Sequence, residues 1–116
     1  MKLHEVKEIL DAEVLVGEEM LDMEVKMAFG ADLMSDVLAF AKPGSLLLTG
    51  LTNDQVVRTA DIIEIAAIVM VRGKKPTPEA LKLAKELKIP ILATKYILFD
   101  TAGRLYTKGI VGSLEK

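Results

Sequence analysis

Three short segments hold residues suited to gripping an anion: Thr49, Gly50, Thr52 and Asn53 in the first, Arg72 and Gly73 in the second, Thr94 in the third. Each segment follows an apolar run and precedes a stretch with helical spacing. If those runs are parallel strands, the loops Thr49–Asp54, Arg72–Thr77 and Thr94–Tyr96 open on one edge of the sheet, where open α/β folds place their ligands. Free N–H groups at the helix starts attract negative charge there. Arg72 would complete a phosphate or carboxylate site. Plainer duties also account for these residues: Thr52, Thr77 and Thr94 as helix caps, Gly50 and Gly73 as turn residues, and Arg72 as a solvated cation.

Other chemistry finds little footing. No Gly-x-x-x-x-Gly-Lys-Ser/Thr loop and no Gly-x-Gly-x-x-Gly fingerprint is present, nor a Gly-x-Ser-x-Gly elbow. With a single histidine, His4, and no cysteine, pairs of nucleophile and base are nearly excluded, as are thiolate metal sites and disulfides. Asp32, Asp36 and Asp54 stand at helix starts and need no metal to explain them. The chain therefore reads as a non-enzyme without a cofactor. A small phosphoryl-transfer or hydrolytic enzyme using Asp54 or Asp32 with a borrowed metal is the minor rival.

The elements that must position the site follow from periodicity. Ser45–Thr49, Ala66–Val71 and Ile91–Ala93 are apolar apart from the terminal Ser45 and Thr49, the pattern of strands buried on both faces. Between them, Thr52-Asn53-Asp54-Gln55 has the capping-box pattern, with Thr52 as cap and Val56, Val57, Ala60 and Ile63 facing inward. Thr77 before Pro78 opens a second helix whose inner face is Ala80, Leu81, Ala84 and Leu87. Upstream, Lys2–Leu10 is an amphipathic helix and Glu13–Val16 a short strand. Strict alternation over Leu21–Phe29 predicts a further strand, and Asp32 caps a helix running to about Ala41. Downstream, Thr94 caps a last helix from Lys95 to Ala102, and Gly103 stops it. The tail from Tyr106 is expected to be partly flexible. The whole is one α/β domain over residues 1–116, three-layered, with a mostly parallel central sheet and flanking helices.

Composition narrows the partners. Of 116 residues, 51% are hydrophobic, and the mean hydropathy is +0.34. Yet no apolar run approaches the roughly 20 residues that span a bilayer, so no membrane is expected. The N-terminus has no signal-peptide core, and a cytoplasmic location is the default expectation. The net charge is −2, and three Phe and two Tyr offer little for base stacking, which argues against nucleic acid. A subunit interface better explains the apolar surplus, so a homodimer is expected.

Several runs also resemble a known family, the DRTGG domain. They are Phe29-Gly30-Ala31-Asp32-Leu33-Met34-Ser35-Asp36-Val37-Leu38, Lys42-Pro43-Gly44-Ser45-Leu46-Leu47-Leu48-Thr49-Gly50, Pro76-Thr77-Pro78-Glu79 and Lys88-Ile89-Pro90-Ile91-Leu92-Ala93-Thr94. The resemblance covers about Glu13 to Ala102 and implies a fold similar to the N-terminal domain of HPr kinase/phosphorylase. It implies a non-catalytic accessory domain, one that in relatives accompanies CBS pairs, phosphotransacetylases and inorganic pyrophosphatases, with a regulatory or ligand-sensing role. Gly50, Gly73 and Thr94 are the positions it carries over. The chain departs from the family pattern at Leu51-Thr52, where relatives tend to have Asp-Arg, and at Val71-Arg72, where they have Thr-Gly. The kinase's own phosphate loop lies in a separate domain, so no kinase activity is implied. The expected function is a dimeric, ligand-sensing regulatory domain that takes a small anion such as a nucleotide. The alternative is an interaction module that docks a larger metabolic enzyme and binds no small molecule.

Overall fold

Pleating sends alternate residues of a strand to opposite faces, and the central strands exploit this with apolar residues on both. In the computed structural model, which describes residues 1–113, β3 (Leu46–Thr49) and β4 (Ala67–Met70) are buried throughout. Leu47, Ile68 and Met70 belong to one core, and Leu46, Leu48, Ala67 and Val69 to the other. The first core is closed by α2 (Met34–Phe40), α3 (Asp54–Ile62) and α4 (Pro78–Leu87). The second is closed by α1 (Leu3–Ile9) and α5 (Leu98–Tyr106). The result is the expected three-layer α/β domain.

Among the described residues the sheet has six strands in the order β1-β5-β4-β3-β2-β6, with β1 at Glu13–Val16, β2 at Met27–Gly30, β5 at Ile91–Ala93 and β6 at Val111–Gly112. From β5 to β6 every neighbouring pair is parallel, and β1 joins β5 antiparallel. The chain steps from β2 to β5 with helices over one face. α5 then returns over the opposite face to place β6 beside β2. The exits of β2, β3, β4 and β5 consequently share one edge.

Several local expectations need correction. Alternation over Leu21–Phe29 yields a strand only from Met27. The carbonyls of Leu21 and Met23 accept from His4 N and Leu3 N, both at 2.9 Å, so this stretch satisfies the open start of α1 rather than joining the sheet. Leu33, not Asp32, is the N-cap residue of α2. Asn53, not Thr52, caps α3, and Leu87 is partly exposed. Ile97, not Thr94, precedes α5, which continues through Gly103 instead of stopping there. An interior helical glycine costs about 1 kcal/mol relative to alanine. Among the described residues nothing within 4 Å of Gly103 forbids a Cβ, so no contact among them demands this glycine.

The flexible tail expected from Tyr106 is instead docked as far as Ser113; residues 114–116 lie outside the described residues. Ile110 and Ser113 are buried, and Ser113 N donates to Ala28 O at 2.9 Å. Ser113 Oγ accepts from Lys42 N at 2.8 Å and also meets the Ser45 hydroxyl. Ser113→Ala should therefore leave a part-buried amide unpaired and cost about 1–3 kcal/mol in denaturant unfolding. A midpoint unchanged from that of the parent would contradict this anchoring.

Candidate functional site at the strand-exit rim

Where β3 ends, the chain must turn sharply toward α3, and Thr49 and Gly50 sit buried at the turn. Asp32, just past the end of β2, reaches over to hold them. Its Oδ1 accepts from Gly50 N at 2.7 Å and from Thr49 Oγ1 at 3.0 Å. Thr49 Oγ1 in turn accepts from Leu51 N at 3.2 Å. An amide that was expected to be open to an anion is thus already bound to a carboxylate of the protein itself.

Arg72 lies at the exit of β4. Its backbone adopts φ 62°, a left-handed conformation that a non-glycine residue enters at a cost of about 1–2 kcal/mol. The other such residues, Asp11, Glu64 and Lys88, follow the ends of α1, α3 and α4, where left-handed caps are common. Arg72 follows a strand. It is pinned by Arg72 N donating to Tyr96 O at 2.8 Å and by Gly73 N donating to Thr94 O at 2.9 Å. Its guanidinium lies across Gly50, where a Cβ would fall 2.7 Å from Nη2. Among the described residues Arg72 pairs with no carboxylate. Lys75 in the same loop pairs with Glu13 at 2.6 Å, at the surface.

Some of the expected site residues are thereby brought together and others are not. Thr49, Gly50 and Arg72 meet, with Asp32, whose place before an apolar stripe suggests a helix cap, as a fourth member. Asn53 is near but engaged, its side chain accepting from Val56 N at 3.3 Å. The first-turn N–H groups of Asp54 and Gln55 have no intrahelical acceptor, by helix geometry. Thr52 contributes its carbonyl, which accepts from Thr77 N at 3.0 Å and ties the two loops together. Gly73 is exposed in the turn. Thr94 is buried, and its hydroxyl donates to Leu10 O at 2.8 Å, which commits it to α1. Beyond these, Arg104 stacks on the Tyr96 ring with 3.9 Å between guanidinium carbon and centroid, placing a second arginine beside the β5 exit. Asp32 was findable by the strand-exit argument had β2 been read as ending at Gly30. The Tyr96–Arg104 contact, eight positions apart, had no local signal. His4 faces Glu8 at 4.0 Å on α1. Among the described residues no group of three or more His, Cys, Asp or Glu side chains is placed to hold a metal ion.

This chain matches the family model of the DRTGG domain over residues 5–107. It belongs to the DRTGG domain family. The resemblance read from the segments between Phe29 and Thr94 is thereby borne out, with wider limits than the sequence suggested. The uncharacterized protein YtoI of Bacillus subtilis (strain 168) is 30% identical over 103 residues, which are 87% of this chain and 23% of that protein. The chain thus spans less than a quarter of that curated relative. Among solved structures, the CBS and DRTGG domains of the regulatory region of Clostridium perfringens pyrophosphatase, complexed with the activator diadenosine tetraphosphate, share the fold. The TM-score is 0.75 at 19% identity, covering 90% of this chain and 45% of that one. No helix among the described residues is long and apolar enough to cross a membrane.

Proposed function

We propose that this DRTGG domain is a non-catalytic regulatory domain that senses a small anionic ligand at the strand-exit rim and works as a homodimer. The observation that carries the ligand half is Arg72. A strained backbone persists where surrounding structure over-determines it, and such strain clusters at ligand clamps. Here it holds a guanidinium, without an acidic partner among the described residues, across a glycine that lies three positions before the N-cap of α3. That arrangement suits a phosphate or carboxylate, with bidentate contact from Arg72 and backbone donors opposite it. A nucleotide is the first class to test, because the pyrophosphatase regulatory region that joins CBS domains to a DRTGG domain is complexed with diadenosine tetraphosphate. The homodimer is supported by the exposure of Phe99, Tyr106, Ile62 and Leu33, all more than half accessible.

Calorimetric titration with ATP, ADP, AMP, diadenosine tetraphosphate and inorganic phosphate tests the ligand half. Saturation at about a hundred times Kd should add about 2.7 kcal/mol of stability. Arg72→Ala should weaken the same binding about tenfold or more while leaving the unfolding midpoint near that of the parent, since Arg72 is exposed. Absence of heat and of thermal stabilisation with every one of these ligands would remove the ligand half.

A further inference from the structure

On the face opposite α2, α3 and α4, a cavity of about 310 Å³ opens between α5 and the β2/β6 edge. Its floor is Ala28, Gly30 and Leu48, and its walls include Phe99, Gly103, Tyr106 and Val111. The walls stand out from the molecule: Phe99 is 82% exposed, Tyr106 70% and Val111 53%. We infer that this face is the homodimer interface, with Phe99 of each copy seated in the partner's cavity and the two α5 helices crossing at Gly103. The inference rests on the homodimer proposed above and adds where and how the copies meet.

Four features favour a second copy of this chain as the occupant. Knob and hole lie on the same surface, which is what a two-fold, self-complementary interface requires. At about 150–250 Å² per aromatic side chain, Phe99, Tyr106 and Val111 alone expose on the order of 400 Å². That is half of the roughly 800 Å² each partner gives to a stable interface, before the flanking Ile97, Ala102 and Gly112 are counted. A small molecule lodged in the cavity would leave most of Phe99 in water. Next, Gly103 has open space where its Cβ would stand and no left-handed φ to excuse it. A helix backbone approaching from outside supplies the missing reason. Finally, a two-fold axis perpendicular to α5 sets the paired helices antiparallel. Asp100 in the first turn of each then faces the end of the other, where Arg104 and Lys108 stand. The helix dipoles oppose favourably in the same arrangement.

Sedimentation velocity across the micromolar range decides the matter. The parent chain should sediment as a dimer. Phe99→Glu, which puts a charge on the knob, should raise the dissociation constant by about thirtyfold or more, the scale of an interface hot spot. Gly103→Leu should do the same by filling the crossing point. Both sites are open in the single chain, so the far-ultraviolet spectrum of each variant should stay that of the parent, and its unfolding midpoint should match that of the parent diluted below its dissociation constant, which separates dissociation from misfolding. A dimer that neither substitution loosens would overturn this interface while leaving the homodimer itself in place. A parent chain that is monomeric at every concentration would overturn both. Either result leaves the nucleotide titration to be judged separately. A parent monomer that is stabilised by an aromatic probe such as 8-anilinonaphthalene-1-sulfonate, with the gain lost in Gly103→Leu, would likewise overturn the inference in favour of a small apolar ligand.

Discussion

Gly17→Ala should destabilise the domain by about 3 kcal/mol or more in guanidinium unfolding, a loss reserved for substitutions that strain backbone and packing together. Gly17 follows β1 with φ 93°, a conformation alanine enters only with strain. A Cβ there would lie 2.8 Å from Pro90 Cβ and 2.9 Å from Pro90 Cα. Pro90 has little room to yield: it is buried, its ring fixes φ, and its carbonyl accepts from Ile68 N at 2.9 Å, at the start of the β4–β5 pairing. Relief at Gly17 would thus disturb the sheet below the rim. A loss under about 1 kcal/mol would mean that this junction can relax and is not a fixed support of the sheet.

Asp32→Ala and Arg72→Ala are expected to move anion affinity in opposite directions. Asp32 binds the Gly50 amide and places a negative charge within the rim. Its removal frees that donor and eliminates a repulsion. A unit charge about 5 Å from a phosphate, in the intermediate dielectric of a surface site, changes affinity on the order of tenfold. Calorimetry should show nucleotide binding tightened in Asp32→Ala and weakened in Arg72→Ala. The gain should come with some loss of thermal stability, because Thr49 and Gly50 lose their common acceptor. If binding by Asp32→Ala falls instead, the carboxylate is part of the ligand's cradle and the rim is built differently.

The central layer was legible because its signals are local and redundant. Leu46, Leu47 and Leu48 and Ala67 to Met70 are short apolar runs of the length of strands buried on both faces, and Thr77-Pro78 marks a helix start with its cap and its first residue at once. The misread places are those where a distant partner decided. The apolar alternation of Leu21, Met23 and Val25 is genuine, yet its carbonyls serve the backbone of α1, some twenty positions away. Thr52 and Asp32 both have good capping side chains. The geometry nevertheless passed capping to Asn53 for α3 and made Leu33 the N-cap residue of α2, because Thr52 O is bound to Thr77 N and Asp32 to the β3 exit. β6 is two residues long, and its pairing with β2 is made by the return of α5 across the sheet, which no window of sequence records. At the site, strand exits and the loop cation were readable from residue type and spacing. The engagement of Thr94 with Leu10, and of Gly50 with Asp32, was not.

The sheet's outermost strands carry a consequence for a chain so rich in apolar residues. A long bare strand edge is a template on which further chains can add indefinitely, as in amyloid. Here one border is β1, four residues with a shift in register between Val14 and Val16, and the other is the two-residue β6. Neither offers enough unpaired backbone in a straight row to seed growth. Open-ended polymerisation is thereby discouraged by geometry, with the aliphatic strands locked in the interior of the stack.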